Sequence, residues 1–158
     1  MAEHSVARRY HCSTVLLPDG RILVGGGVDA QGFDPNKTAE IFSPPYLFDA
    51  NDDPADRPTI TSVTGSAADK IEYNEAFYVV TSDWNSIDSV VLMGTGAATH
   101  SFDHNQRYVP LEFTKRQTGD LQVTAPAHGH LAPPGYYMLF IVDDNGVPSV
   151  ARMVQLTS

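Results

Sequence analysis

Three side chains in this sequence are of the types that hold a transition metal. Tyr10 and His11 are adjacent, and His100 stands far downstream of them. Two imidazoles and a phenolate make a donor set that suits Cu(II). His100 falls in a long connection, Gly94 to Arg107. That connection begins with six small residues, Gly94-Thr95-Gly96-Ala97-Ala98-Thr99, so the chain can pass close to another surface. Long loops in compact domains often carry function. Successive residues of a regular strand point to opposite faces. Tyr10 and His11 can therefore serve one ion only from a strand end or an irregular turn.

Other constellations point to less. His128-Gly129-His130 offers two imidazoles, but no third ligand is evident and Pro133-Pro134 follows, so an exposed loop is expected. His100 and His104 share a face only on a helix, and none is expected there. No Gly-x-Ser-x-Gly elbow is present. The Gly25-Gly26-Gly27 run lacks the Lys-Ser/Thr of a phosphate-binding loop. The acidic stretch from Asp49 to Asp56 fails as a calcium loop, because Pro54 stands where glycine is required and Ile60 where glutamate closes the site. It reads as a solvated linker. Trp84, in a turn between strands, suits either sugar stacking or packing.

The elements that must position these groups are all β. Ser13–Leu17 and Arg21–Val24 flank Pro18-Asp19-Gly20, a tight-turn sequence, and read as a hairpin. The glycine run is expected to end it. A third strand, Thr38–Phe42, stops at Pro44-Pro45. Three strands do not make a stable unit alone, so this segment must lean on something else. After Pro58, seven short runs recur between turn residues: Thr59–Thr64, Ala76–Thr81, Ser89–Met93, Val109–Thr114, Leu121–Thr124, Tyr136–Val142 and Val150–Leu156. Such punctuation fits an immunoglobulin-like antiparallel sandwich of about seven strands. Asp143-Asp144-Asn145-Gly146 marks a turn between the last two. The division expected is residues 1–57, strands and linker, and residues 58–158, the sandwich.

Composition agrees with a packed protein. Of 158 residues, 42% are hydrophobic and 18% charged, which is globular rather than disordered. A net charge of −9 repels phosphate backbones and anionic lipid, so neither nucleic acid nor membrane is an expected partner. One cysteine, Cys12, allows no internal disulfide. Residues Met1 to Arg9 lack the apolar core of a signal peptide. A cytoplasmic protein or a fragment of a secreted one both fit.

Several stretches together resemble the C-terminal end of the galactose oxidase and glyoxal oxidase family of copper radical oxidases. The first is Arg9-Tyr10-His11-Cys12-Ser13, followed by Leu16-Leu17-Pro18-Asp19-Gly20-Arg21 and Gly25 to Gly27. The second is Ala98-Thr99-His100, followed by Gln106-Arg107 and Val109-Pro110-Leu111. The third is Ala132-Pro133-Pro134-Gly135-Tyr136-Tyr137-Met138-Leu139-Phe140 with Gly146-Val147-Pro148-Ser149. Ile41-Phe42-Ser43-Pro44-Pro45-Tyr46-Leu47 and Arg57-Pro58 also match. The likeness runs from Arg9 onward, in order.

The resemblance implies a kelch-type propeller closed by strands before about Phe48, then an early-set, immunoglobulin-like domain from Pro58. It implies copper, with His100, Tyr10 and His11 matching ligands. Tyr10 matches the axial tyrosine that accepts the substrate proton, and is the one catalytic residue implied. The family's radical tyrosine and its cross-linked cysteine belong to earlier blades; Cys12 is not that cysteine and stands where relatives usually have serine. Asn105 stands where the family usually has aspartate. The chain is thus expected to supply part of a copper site to a longer enzyme, oxidising alcohols or aldehydes and reducing O2 to H2O2, without being competent alone. The alternative is a non-catalytic binding or structural module. Partners expected are the missing propeller blades, or a second copy paired through the N-terminal strands.

Overall fold

The structure is a computed structural model in which residues 3–29, 31, 35–65, 69–100 and 102–157 are described. The N-terminal part is a three-stranded antiparallel sheet of β1 (Cys12–Leu16), β2 (Ile22–Gly26) and β3 (Ala39–Phe42), with β2 central. The expected hairpin turn is present. The Gly20 amide donates to the Leu17 carbonyl (2.9 Å), Asp19 Oδ1 accepts from the Arg21 amide, and Gly20 adopts φ +80. The glycine run does not end the strand where expected, because β2 continues through Gly25 and Gly26. Gly25 pairs with Ala39 across the sheet.

A short 3-10 turn, Pro45–Leu47, leads to the sandwich. Its strands are β4 (Ser62–Thr64), β5 (Lys70–Glu72), β6 (Ala76–Val80) and β7 (Ile87–Gly94). The small ribbon of β8 (Ala98–Thr99) and β9 (Phe102–Asp103) stands apart from the two layers. Then come β10 (Tyr108–Leu111), β11 (Phe113–Arg116), β12 (Asp120–Thr124), β13 (Gly135–Asp143) and β14 (Arg152–Thr157). One sheet has the order β10-β7-β13-β14-β5, the other β11-β12-β6-β4. The sandwich therefore has nine strands among the described residues, not about seven.

Each difference has a local cause. The expected strand Val109–Thr114 is two strands, because the chain changes sheets at Glu112: β10 pairs with β7, and β11 pairs with β12. Alternation continues across the step, with Val109, Leu111 and Phe113 all packed on the core. β5 escapes a periodicity reading because it has only three residues, of which Ile71 is 1% exposed. β14 starts at Arg152 rather than Val150, since the Ala151 amide bonds the Pro18 carbonyl of the first hairpin (2.8 Å). The Asp143–Gly146 turn forms as expected, with Gly146 at φ +80 and its amide on the Asp143 carbonyl.

The core lies between the two sheets. Phe77, Val79, Leu121 and Val123 of one face Leu92, Leu139, Ile141 and Val154 of the other, all at most 1% exposed. A second cluster sits on the outer face of the five-stranded sheet, where Val91, Met138 and Phe140 are buried beneath Leu16, Met93 and Ala151. Leu16 belongs to β1, so the N-terminal sheet leans on the sandwich through this apolar patch. Among the described residues no helix is long and apolar enough to cross a membrane.

Arg57 bolts the two parts together. Its guanidinium donates to the carbonyls of Asp19 (2.8 Å), Pro148 (2.8 Å) and Ser149 (2.6 Å). Tyr46 Oη adds a bond to the Gly20 carbonyl (2.6 Å).

Candidate functional site: a tyrosine and two histidines

The turn that carries Tyr10 and His11 is built by the residues on either side of it. The Arg8 side chain is 2% exposed and spans the sheet end. It donates to the carbonyls of Gly26 (3.1 Å) and Thr38 (2.9 Å), to Thr38 Oγ1 (2.8 Å) and to Glu40 Oε2. The Arg9 amide bonds the Val28 carbonyl, and the Cys12 amide closes back on the Arg9 carbonyl (3.2 Å). Arg9 to Cys12 is thus a tight turn, with His11 at φ +66. This is the irregular geometry that adjacent ligands require. The Tyr10 and His11 rings lie side by side, their centroids 4.0 Å apart. Cys12 is half-buried where β1 begins.

Glu40 anchors the segment before the turn. Its carboxylate accepts from the Ser5 hydroxyl (2.6 Å) and amide (2.8 Å) and from Arg8, and these bonds, those of Ser5 foremost, hold its pKa down to about 2. A carboxyl depressed from 4.5 in this way stabilises the folded state above its unfolded pKa, and the contribution fades as pH falls through the folded value. Between pH 4.5 and about 2 the N-terminal segment is therefore expected to loosen from β3. The protection factor of the Arg9 amide, which removes the intrinsic pH dependence of exchange, should fall over that window in the wild type. In Glu40→Gln it should be lower at neutral pH and nearly flat over the same window; an equally steep response would place the titrating group elsewhere.

His100 comes from the other side. It sits at the tip of the β8–β9 ribbon, at φ +52, with its Nδ1 2.9 Å from Thr99 Oγ1. Asp103 Oδ1 accepts from the amides of Ala97 and Asn105 (both 2.9 Å). Asn105 Nδ2 donates to the Thr95 carbonyl (2.8 Å). Aspartate, acceptor-only when ionised, could not make this last bond, so Asn105 closes the base of the loop in its own way. Gly94 and Gly96 are needed for space. A side chain at Gly94 would run into the Asn105 carbonyl, and one at Gly96 would lie 2.8 Å from Val15 Cγ1 on β1. The ribbon is thereby pressed against the strand that follows the Tyr10-His11 turn.

The outcome is a convergence of all three rings. His11 and His100 have centroids 4.6 Å apart, and Tyr10 and His100 6.0 Å. An imidazole nitrogen lies about 1.1 Å from its ring centre and binds a metal at about 2.0–2.1 Å, so two rings at right angles on one ion have centres about 4.5 Å apart. The His11–His100 spacing meets that distance. The Thr99 contact engages Nδ1 of His100, the kind of secondary bond that orients metal-ligating histidines. All three residues are exposed, Tyr10 by 62%. Among the described residues, no group of three His, Cys, Asp or Glu side chains gathers to hold a metal, so the donor set here is two imidazoles and a phenol.

The remaining candidates are elsewhere. His104 meets Phe102 edge-to-face (5.1 Å) beside the ribbon, and His128 meets His130 edge-to-face (5.1 Å) in the β12–β13 loop. Trp84 packs on the sandwich core. Of the positioning residues, Thr99 and Arg57 fall within the stretches that carry the family resemblance. Arg8 and Asp103 carried no motif, and only their hydrogen bonds single them out.

Known proteins resemble this chain over nearly its whole length. The chain is 36% identical to a galactose oxidase of Gibberella zeae, over 98% of its own length and 22% of that relative. It is 38% identical to the aldehyde oxidase GLOX of Vitis pseudoreticulata, over 96% of its length and 30% of that relative. It thus spans about a fifth to a third of the curated relatives it matches. A solved fungal alcohol oxidase in complex with copper superposes with a TM-score of 0.88 at 30% identity, over all of this chain and 33% of that one. The family model described as galactose oxidase-like, early set domain matches residues 57–156. On that match, which takes in well over half of its residues, the chain belongs to the galactose oxidase-like early set domain family.

Proposed function

We propose that this chain supplies Tyr10, His11 and His100 to a copper site within a longer copper radical oxidase, and that it is not competent alone. The observation that carries the reading is the meeting of the three rings from two segments far apart in sequence, at 4.0, 4.6 and 6.0 Å. Copper, when bound, supplies the redox partner for reducing O2 to H2O2 as an alcohol or aldehyde is oxidised. In this chain His11 and His100 donate neutral imidazole nitrogens, and Thr99 holds the second ring in orientation. Tyr10, 62% exposed, receives the proton released by the substrate. The substrate pocket and the radical-bearing tyrosine would come from the rest of the longer protein, whose strands would also cover the open edge of β3. That the three rings are solvent-exposed here accords with a site awaiting its other wall.

A Cu(II) titration followed by electron paramagnetic resonance tests this. One equivalent should bind with nitrogen coupling, and His100→Ala should lose part of that coupling with a fall in affinity of about tenfold or more. Equal binding by wild type and variant would remove His100 from the site. The chain would then be a module that keeps the family's fold without its chemistry.

A further inference from the structure

We propose that His128 and His130 form a second, independent site for a divalent transition ion of the class that imidazole prefers, Zn(II), Ni(II) or Cu(II). The two residues project from the loop between β12 and β13, are exposed, and have ring centroids 5.1 Å apart. By the same geometry as before, two imidazoles meeting one ion at a tetrahedral angle have centres about 5.1 Å apart. Gly129 between them lets the turn lie against the protein: a side chain there would stand 3.3 Å from Tyr73 Oη.

The loop is held in place before any ion arrives. The Asn74 amide donates to the Pro126 carbonyl (3.1 Å), and its side-chain amide to the Ala127 carbonyl (2.8 Å). At the far end Tyr73 Oη donates to the Ala132 carbonyl (2.6 Å), and Ala132 itself is fully buried. Within the turn the Leu131 amide closes on the His128 carbonyl (3.1 Å). Both ends of the chelating turn are therefore fastened to one pair of neighbouring residues. A fastened turn loses little freedom on binding, which is what allows two protein ligands and solvent to hold an ion. Solvent access on the open side supplies the remaining coordination positions.

The test separates this site from the first by using disjoint residues. Zn(II) is titrated calorimetrically into the His11→Ala/His100→Ala chain, and the histidine ring protons of the wild-type chain are followed by NMR during the same titration. One equivalent should bind to the variant, with His128→Ala or His130→Ala lowering affinity about tenfold or more. In the wild type, the His128 and His130 resonances should shift together while His4 and His104 stay in place. The proposal is overturned if the His11→Ala/His100→Ala chain binds no Zn(II), if neither loop substitution alters binding, or if the His128 and His130 resonances stay in place. Failure of the copper reading would show separately, as insensitivity to His100→Ala.

Discussion

Phe77→Ala is expected to destabilise the chain by about 3–5 kcal/mol, measured by guanidinium unfolding with an unchanged denaturant slope. Phe77 is 1% exposed and pairs across the sheet with Val123, beside the Leu121–Val79 pair. Its ring fills the middle of the layer between the two sheets, where Leu92, Leu139 and Ile141 come from the opposite face. Truncation leaves a void that the strands on either side, tied by their ladders, cannot close. A loss of this size is about a fifth or more of the stability of an ordinary domain. Ile41→Ala makes the comparison: Ile41 is 51% exposed on β3, and its loss should change stability by no more than about 0.5 kcal/mol. If the two variants cost the same, the sandwich is not the unit whose unfolding is being measured.

Arg57→Ala should weaken copper binding from a distance. Among the described residues its guanidinium bonds both the hairpin turn, at Asp19, and the sandwich, at Pro148 and Ser149. Burial works against its charge, lowering its pKa, while the neighbouring Asp19 carboxylate works in its favour. A well-buried hydrogen bond to a charged group contributes about 1.5–3 kcal/mol net of exchange with water. Because Arg57 is only partly buried and water can reach the carbonyls it leaves, a net cost of about 2–3 kcal/mol is expected. The functional consequence follows from geometry. The hairpin carries the Tyr10-His11 turn, and the sandwich carries the His100 ribbon, so parting them separates the ligands. Arg57→Ala should weaken Cu(II) binding about tenfold or more without touching a ligand. It should also speed exchange of the Ala151 amide, whose partner is the Pro18 carbonyl. Arg57→Lys, with one compact ammonium in place of the fork, should recover only part of either effect. Full copper affinity in Arg57→Ala would assign the docking to the apolar patch under Leu16 alone.

Much of the architecture was legible in the residues because its causes are local. Gly20 and Gly146 stand where their turns need positive φ, and the run Tyr136–Val142 is apolar at every position, so it must be a strand covered on both faces. Motif order alone also named Tyr10, His11 and His100 through the family resemblance. The local reading missed at places where the cause is remote. β5 is a strand because β14 lies beside it, and the chain between Leu111 and Phe113 changes sheets because two partner strands compete for it. The glycines of β2 belong to the sheet because β1 and β3 pair with them.

The site divides along the same line. Residue types and motifs determined which groups are present and what they can bind, since donor chemistry belongs to the side chain itself. Whether those groups meet depended on contacts between segments that periodicity does not describe: Arg8 across the end of a sheet, Arg57 between hairpin and sandwich, and Gly96 against Val15. Two residues in left-handed backbone, His11 and His100, finish the arrangement, and such conformations persist only where surrounding structure imposes them. Composition and short-range pattern thus decided the β architecture and the donors. Long-range packing alone decided that a tyrosine and two histidines should face one another.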